Sequence, residues 1–91
     1  MSRIIPDRNT QVEVFMSIKS APLKDSYCEM LCVRLGDDGS KLASYMATVD
    51  MMIEMGVLVR DGNGTVSVPG VTEKVNLEES KTMKKLRSMQ V

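Results

Sequence analysis

Hydrophobic positions recur at three- and four-residue steps through the first half of the chain and then give way to two short β-prone runs. Val12, Phe15, Met16 and Lys19 trace one face of a first helix, widened by Val14 and Ile18. Thr10-x-x-Glu13 has the form of a capping box, so this helix is expected over residues 10–20, with Ala21-Pro22 ending it. Tyr27, Met30, Leu31 and Leu35 supply the stripe of a second helix, with Cys28 and Cys32 beside it. Ser26-x-x-Glu29 is its expected cap and Gly36 its stop, followed by turn chemistry at Asp37-Asp38-Gly39. Leu42, Tyr45, Met46, Val49, Met52 and Ile53 line up on the third helix, which predicts that this face is buried. Lys41, Ser44, Thr48, Met51 and Glu54 occupy the opposite side, and Gly56 is the natural C-terminal stop.

Residues 57–60 and 65–68 read as two strands. Asp61-Gly62-Asn63-Gly64 between them is a strong hairpin signal, because Gly and Asn tolerate the positive φ of a tight turn. Pro69-Gly70 closes the second strand, and residues 71–75 read as a third extended piece or as linker. Asn76-x-x-Glu79 is placed to cap a last helix reaching about Gln90, with Glu78 and Glu79 first and Lys81, Lys84, Lys85 and Arg87 later, the order the helix dipole favours. Its apolar residues, Leu77, Met83, Leu86 and Met89, are sparse, so it is expected to pack on something narrow, such as a partner chain, or to fray. The chain thus divides into an N-terminal arm (1–9), a folded unit (10–70) and a C-terminal tail (71–91), helical from about residue 77.

Charge sharpens the functional question. The formal net charge is zero, which argues against a general polyanion binder. Nine Met and three aromatics, Phe15, Tyr27 and Tyr45, predict a soft aliphatic core. Two Cys four positions apart and no His give no zinc ligand set, and Cys28 and Cys32 are expected to be buried and reduced, as in the cytoplasm. The N-terminal residues do not form a signal peptide, and no segment reads as a membrane span.

The order helix, helix, turn, helix, hairpin resembles the winged helix-turn-helix superfamily. Pro22-Leu23 before the second helix, Leu35-Gly36 at its end, and the run Met55-Gly56-Val57-Leu58-Val59-Arg60-Asp61-Gly62 carry the resemblance, which covers residues 10–68. It implies an α+β fold, mostly α: three helices, a two-stranded β-hairpin wing and here a C-terminal helix. The spacing from Gly36 to Gly56 is longer than usual in the superfamily, which implies a widened turn at Asp37-Asp38-Gly39.

Two functions stand side by side. The resemblance implies a small DNA-binding transcriptional regulator, with Ser40, Lys41, Ser44 and Thr48 facing the major groove and Arg60 and Asn63 contacting from the wing. Lys81, Lys84, Lys85 and Arg87 would then grip the phosphate backbone of double-stranded DNA. Against it, residues 37–56 hold one base, Lys41, among Asp37, Asp38, Asp50 and Glu54. The alternative is a protein-interaction module, an inhibitor or adaptor of the kind virus or plasmid genomes encode, docking through Met51 and Met55 beside Asp50 and Glu54. The tail helix adds a third expectation, a homodimer through Leu77, Met83, Leu86 and Met89.

No catalytic constellation is legible. There is no His for base work near neutral pH, no Gly-rich phosphate loop, and the Asp61-Gly62-Asn63-Gly64 turn is too short for a calcium loop. The expectation is a non-enzyme with no cofactor and no metal.

Overall fold

The first helix, α1 (Arg8–Ser20), starts earlier than its periodicity predicts. Asp7, not Thr10, is its N-cap: the Asp7 carboxylate accepts the Thr10 N–H at 2.7 Å, and Thr10 sits buried inside the first turn. The computed structural model describes residues 5–24, 28–70 and 75–89, and all structural statements concern these residues. The expected cap at Ser26, the stripe residue Tyr27 and most of the extended piece at 71–75 lie outside them.

The second helix, α2 (Glu29–Arg34), is shorter than expected. Cys28 is its N-cap and adopts left-handed backbone (φ 64°), a conformation unfavourable for a side chain with a Cβ. Cys28 therefore does not share a helical face with Cys32, although both thiols are buried. Gly36, at φ 68°, ends α2 in a Schellman motif, with the Gly36 N–H on the Val33 carbonyl and the Asp37 N–H on the Cys32 carbonyl.

The third helix, α3 (Leu42–Glu54), ends the same way at Gly56, with the Gly56 N–H on the Ile53 carbonyl and the Val57 N–H on the Met52 carbonyl. The Leu58 N–H also turns back to Met52. With the Val57 and Leu58 amides committed to closing the helix, strand β1 shrinks to Val59–Arg60. It pairs antiparallel with β2 (Val66–Ser67) in the register Val59 to Ser67 and Arg60 to Val66.

Asp61 organises the hairpin turn. Its carboxylate accepts the Asn63 and Thr65 N–H groups at 2.8 and 2.9 Å, and its carbonyl accepts Gly64 N–H. Positive φ is needed only at Gly64 (85°), and not at Gly62 or Asn63 as a two-residue Asn-Gly turn would require. A three-residue loop ending in a left-handed Gly replaces it.

Leu23, between α1 and α2, bonds Val66 in both directions at 2.8 and 2.7 Å, an isolated antiparallel bridge on the free edge of β2. That bridge pins the α1–α2 connection to the hairpin and buries Leu23 and Val66 completely. The core then fills between α1 (Val14, Ile18), α2 (Leu31, Cys32), α3 (Tyr45, Val49, Met52) and the hairpin (Leu58, Val66). The architecture is mixed α+β, mostly helical, with a two-stranded antiparallel hairpin.

The tail departs from its expected cap. The Asn76 side chain accepts Glu78 N–H, but this closes only a 3₁₀ turn, Leu77–Glu79. Ser80 then takes up extended backbone and caps the true last helix, α4 (Lys81–Ser88), by accepting Met83 N–H at 3.0 Å. What α4 packs on is α3 of the same chain, and Met83 is buried completely. Ser80 is itself fully buried, so Ser80→Ala is expected to cost about 1 kcal/mol of stability; urea unfolding of the variant measures it.

Candidate interaction surfaces

The third helix is the centre of the molecule. Tyr45, Val49 and Met52 face the main core, while Ser44, Ala47, Thr48 and Met51 are also buried, on the adjoining side of the helix. Three expectations are corrected here. Ser44 (7% exposed) and Thr48 (0%) cannot face a DNA groove, and the Thr48 hydroxyl donates to the Ser44 carbonyl inside the structure at 2.7 Å. Met51 (0%) cannot meet a partner in this state. Met46, assigned by its spacing to the buried stripe, is exposed. The physical reason is that α1, α2 and α4 all pack on α3, which leaves only a narrow outward arc of Ala43, Met46, Asp50 and Glu54. No base stands on that arc.

The acids around α3 have structural work. Asp37 accepts the Gly39 and Lys41 N–H groups and the Ser40 hydroxyl, and Asp38 accepts Ser40 N–H. The backbone hydrogen bond from Lys41, with those from Gly39 and Ser40, holds the Asp37 carboxyl below the usual carboxylate range. Ser40 and Lys41 are exposed, yet the N–H groups leading into α3, where a phosphate would approach, already bind a carboxylate.

At the other end, Glu54 reaches across to α4. Its carboxylate accepts the Lys81 N–H, the Thr82 N–H at 3.2 Å and the Thr82 hydroxyl at 3.0 Å. The Lys81 backbone hydrogen bond, then those of Thr82, hold the Glu54 carboxyl below the usual carboxylate range in the same way. Asp7 does the corresponding service for α1. The acidic bias of the region is thus largely a set of helix caps, with Asp50 the exposed acid that no cap explains.

The basic residues are dispersed. Arg60 and Asn63 are exposed on the hairpin, which packs on α1 through β2, whereas Lys81, Lys84 and Lys85 are exposed on α4, which packs on α3 and the 3₁₀ turn. Arg87 is engaged: it makes a bidentate pair with Glu78 at 2.5 and 2.8 Å, which raises the guanidinium's basicity further and lowers the Glu78 carboxyl. Met55, the C-cap of α3, is half-buried.

Sequence spacing missed the outward face of α1. Val14 and Ile18 are buried in the core and Phe15 packs half-buried at its edge, so Val12, Met16 and Lys19 are the positions that point away from it. Val12 and Met16 are 52% and 51% exposed and form an apolar ridge one turn apart. A groove of about 600 Å³ flanks the ridge on one side, lined by Val12, Phe15, Met52, Val57, Val75 and Leu77, with Asp7, Arg8, Glu78 and Arg87 on its rim. A second, shallower depression runs along Met16, Ser17, Ala21, Arg34 and Leu35 on the other side. There the Arg34 guanidinium donates to the Ala21 and Pro22 carbonyls at 2.8 and 2.9 Å, so its charge closes the C-terminus of α1. The signal was present in the sequence: α1 has more apolar positions than one face can bury.

The thiols do not form a reactive site. Burial, and then the nearby Asp37 and Glu29 charges, push the Cys32 thiol above its ordinary value, away from thiolate character. Among the described residues no three His, Cys, Asp or Glu side chains cluster as metal ligands do, and no helix is long and apolar enough to cross a membrane.

No family model matches the chain, and no curated protein or solved structure is similar to it.

Proposed function

We propose that this chain is a protein-docking module on a winged-helix-like scaffold, an adaptor or inhibitor that acts in a reducing cytoplasm and engages its partner through the outward face of α1. The observation that carries this reading is the half-exposed Val12–Met16 ridge between two depressions, on a helix whose other face already fills the core. Ridges set into grooves are how helices pack, so the fitting partner is an amphipathic helix. The winged-helix element order is supported by the Leu23 bridge, which gives the hairpin a third, short strand between α1 and α2. Scaffolds of this type serve protein docking as well as DNA binding.

A DNA-binding regulator is the second reading. One observation favours it: Lys81, Lys84 and Lys85 are exposed together on the outer face of α4. They would hold phosphate without reading sequence, because base contacts need a helix or strand in a groove and the buried Ser44 and Thr48 cannot supply them.

Fluorescence anisotropy with mixed-sequence duplex DNA, titrated with salt, separates the two. Docking predicts no binding even at low salt. Binding that weakens steeply with salt, with a slope reduced by about three when Lys81, Lys84 and Lys85 are all changed to Gln, would establish the backbone grip instead.

A further inference from the structure

We propose that α4 is a releasable cover over α3, latched at its N-terminus by the Glu54 carboxylate. The inference is independent of the role given to α1. Three observations meet at this seam. First, α4 packs on α3 and on the 3₁₀ turn that precedes it, and has no comparable packing on α1, α2 or the hairpin among the described residues. Second, what it buries is unusually undemanding. α4 contributes one fully buried apolar side chain, Met83. The Thr48 hydroxyl is already satisfied by the Ser44 carbonyl of its own helix. Thr48 therefore needs no partner from α4, and the helix itself withdraws one fully buried apolar side chain, Met83, when it lifts. Local opening with these properties lies at the low-stability end of a folded protein.

Third, the seam is fastened at one point by charge. The first N–H groups of α4 have no partner within the helix, and Glu54, from the last turn of α3, takes those of Lys81 and Thr82 together with the Thr82 hydroxyl. The anion also sits where the helix dipole favours it. The charged groups around this point are Lys81 on α4, Asp50 one turn earlier on α3, and Glu79 and the Arg87-paired Glu78 of the 3₁₀ turn. Ser80 fastens the same end of α4 from its own side through Met83 N–H, but Ser80 belongs to the segment that moves with α4. Glu54 is the charged fastening that joins the cover to the body, beside the apolar contact that Leu77 of the 3₁₀ turn makes with the core.

Because its hydrogen bonds depress the Glu54 carboxyl, the latch is fully closed above the ordinary carboxylate range and is lost as pH falls through that depressed value. Asp7 caps α1 and Asp37 holds the turn ahead of α3, both with depressed carboxyls, so pH alone loosens the whole molecule; the Glu54 variant isolates the seam.

Native-state hydrogen exchange on the full chain, read residue by residue, tests the proposal. In the wild-type protein the α4 amides from Lys85 to Ser88 are expected to exchange through an opening that leaves Val49 and Met52 of α3 protected. Glu54→Gln is expected to lower α4 protection on the order of tenfold, the size of a lost helix cap, without changing that of Val14 or Ile18. Between neutral and acid pH, the ratio of α4 to α3 protection should fall in the wild type and stay flat in Glu54→Gln. Asp50→Asn, which removes an acid from the exposed arc of α3 without touching α4, should leave α4 protection unchanged. Exchange of α4 and α3 amides as one unit in the wild type would overturn the proposal. So would an equal effect of Asp50→Asn and Glu54→Gln, which would make the latch a matter of net charge.

Discussion

Tyr45→Ala is expected to lower the thermal midpoint by at least about 12 °C. Tyr45 is 2% exposed, the largest side chain of the core and its only fully buried aromatic ring among the described residues. Truncating a buried aromatic to Ala costs about 3–5 kcal/mol. A chain of 91 residues has roughly 5–14 kcal/mol of stability to lose. In a domain of this size each kcal/mol shifts the midpoint by about 4–8 °C. The contrast lies on the same helix: Met46→Ala and Asp50→Ala, on the exposed arc, are expected to stay within about 0.5 kcal/mol of wild type. Thermal circular dichroism of the three variants decides whether α3 is a central strut. A Tyr45→Ala midpoint within a few degrees of those of Met46→Ala and Asp50→Ala would contradict it.

Val12→Asp combined with Met16→Asp is expected to leave the fold intact and abolish partner capture. Both side chains are half-exposed, so placing carboxylates there buries no charge in the isolated chain. In a complex the same carboxylates would sit unpaired against an apolar helix. If each position is a hot spot worth about 2 kcal/mol, the pair together weaken binding on the order of a thousandfold. An unchanged midpoint with lost capture is the outcome consistent with docking. A midpoint lowered as far as in Tyr45→Ala would instead return Val12 and Met16 to the core.

Much of the local structure was legible in the residues. Gly36 and Gly56 stop α2 and α3 because a left-handed C′ position suits Gly, and both end in the same two hydrogen bonds. The hairpin after Gly56 follows from β-prone runs flanking Asp61-Gly62-Asn63-Gly64. What spacing could not show was which of two apolar faces a helix would bury. On α1 the pairs Val14–Ile18 and Val12–Met16 are both at helical spacing, and only packing against α2, α3 and the hairpin chose the first. On α3 the polar side, Ser44 and Thr48, is buried as well, because three helices, α1, α2 and α4, pack around it, and spacing within one helix carries no record of how many neighbours surround it. The acids misled for a related reason. Glu54 and Asp37 count as negative charge in a sequence window, whereas in the structure Glu54 is committed to the N-terminus of α4 and Asp37 to the turn ahead of α3. Cys28 in left-handed backbone had no sequence signal, because Cys has no special preference for that conformation.

The central claim, that the outward face of α1 is where this protein meets another, is tested most directly by site-specific photo-crosslinking in the source cells. The crosslinker is placed in turn at Val12, at Met16, and at Lys85 on the far face of α4. The account predicts one discrete protein adduct from positions 12 and 16, absent from position 85 and lost when the second ridge residue is changed to Asp. Nucleic-acid adducts from position 85, with none from the ridge, would contradict it.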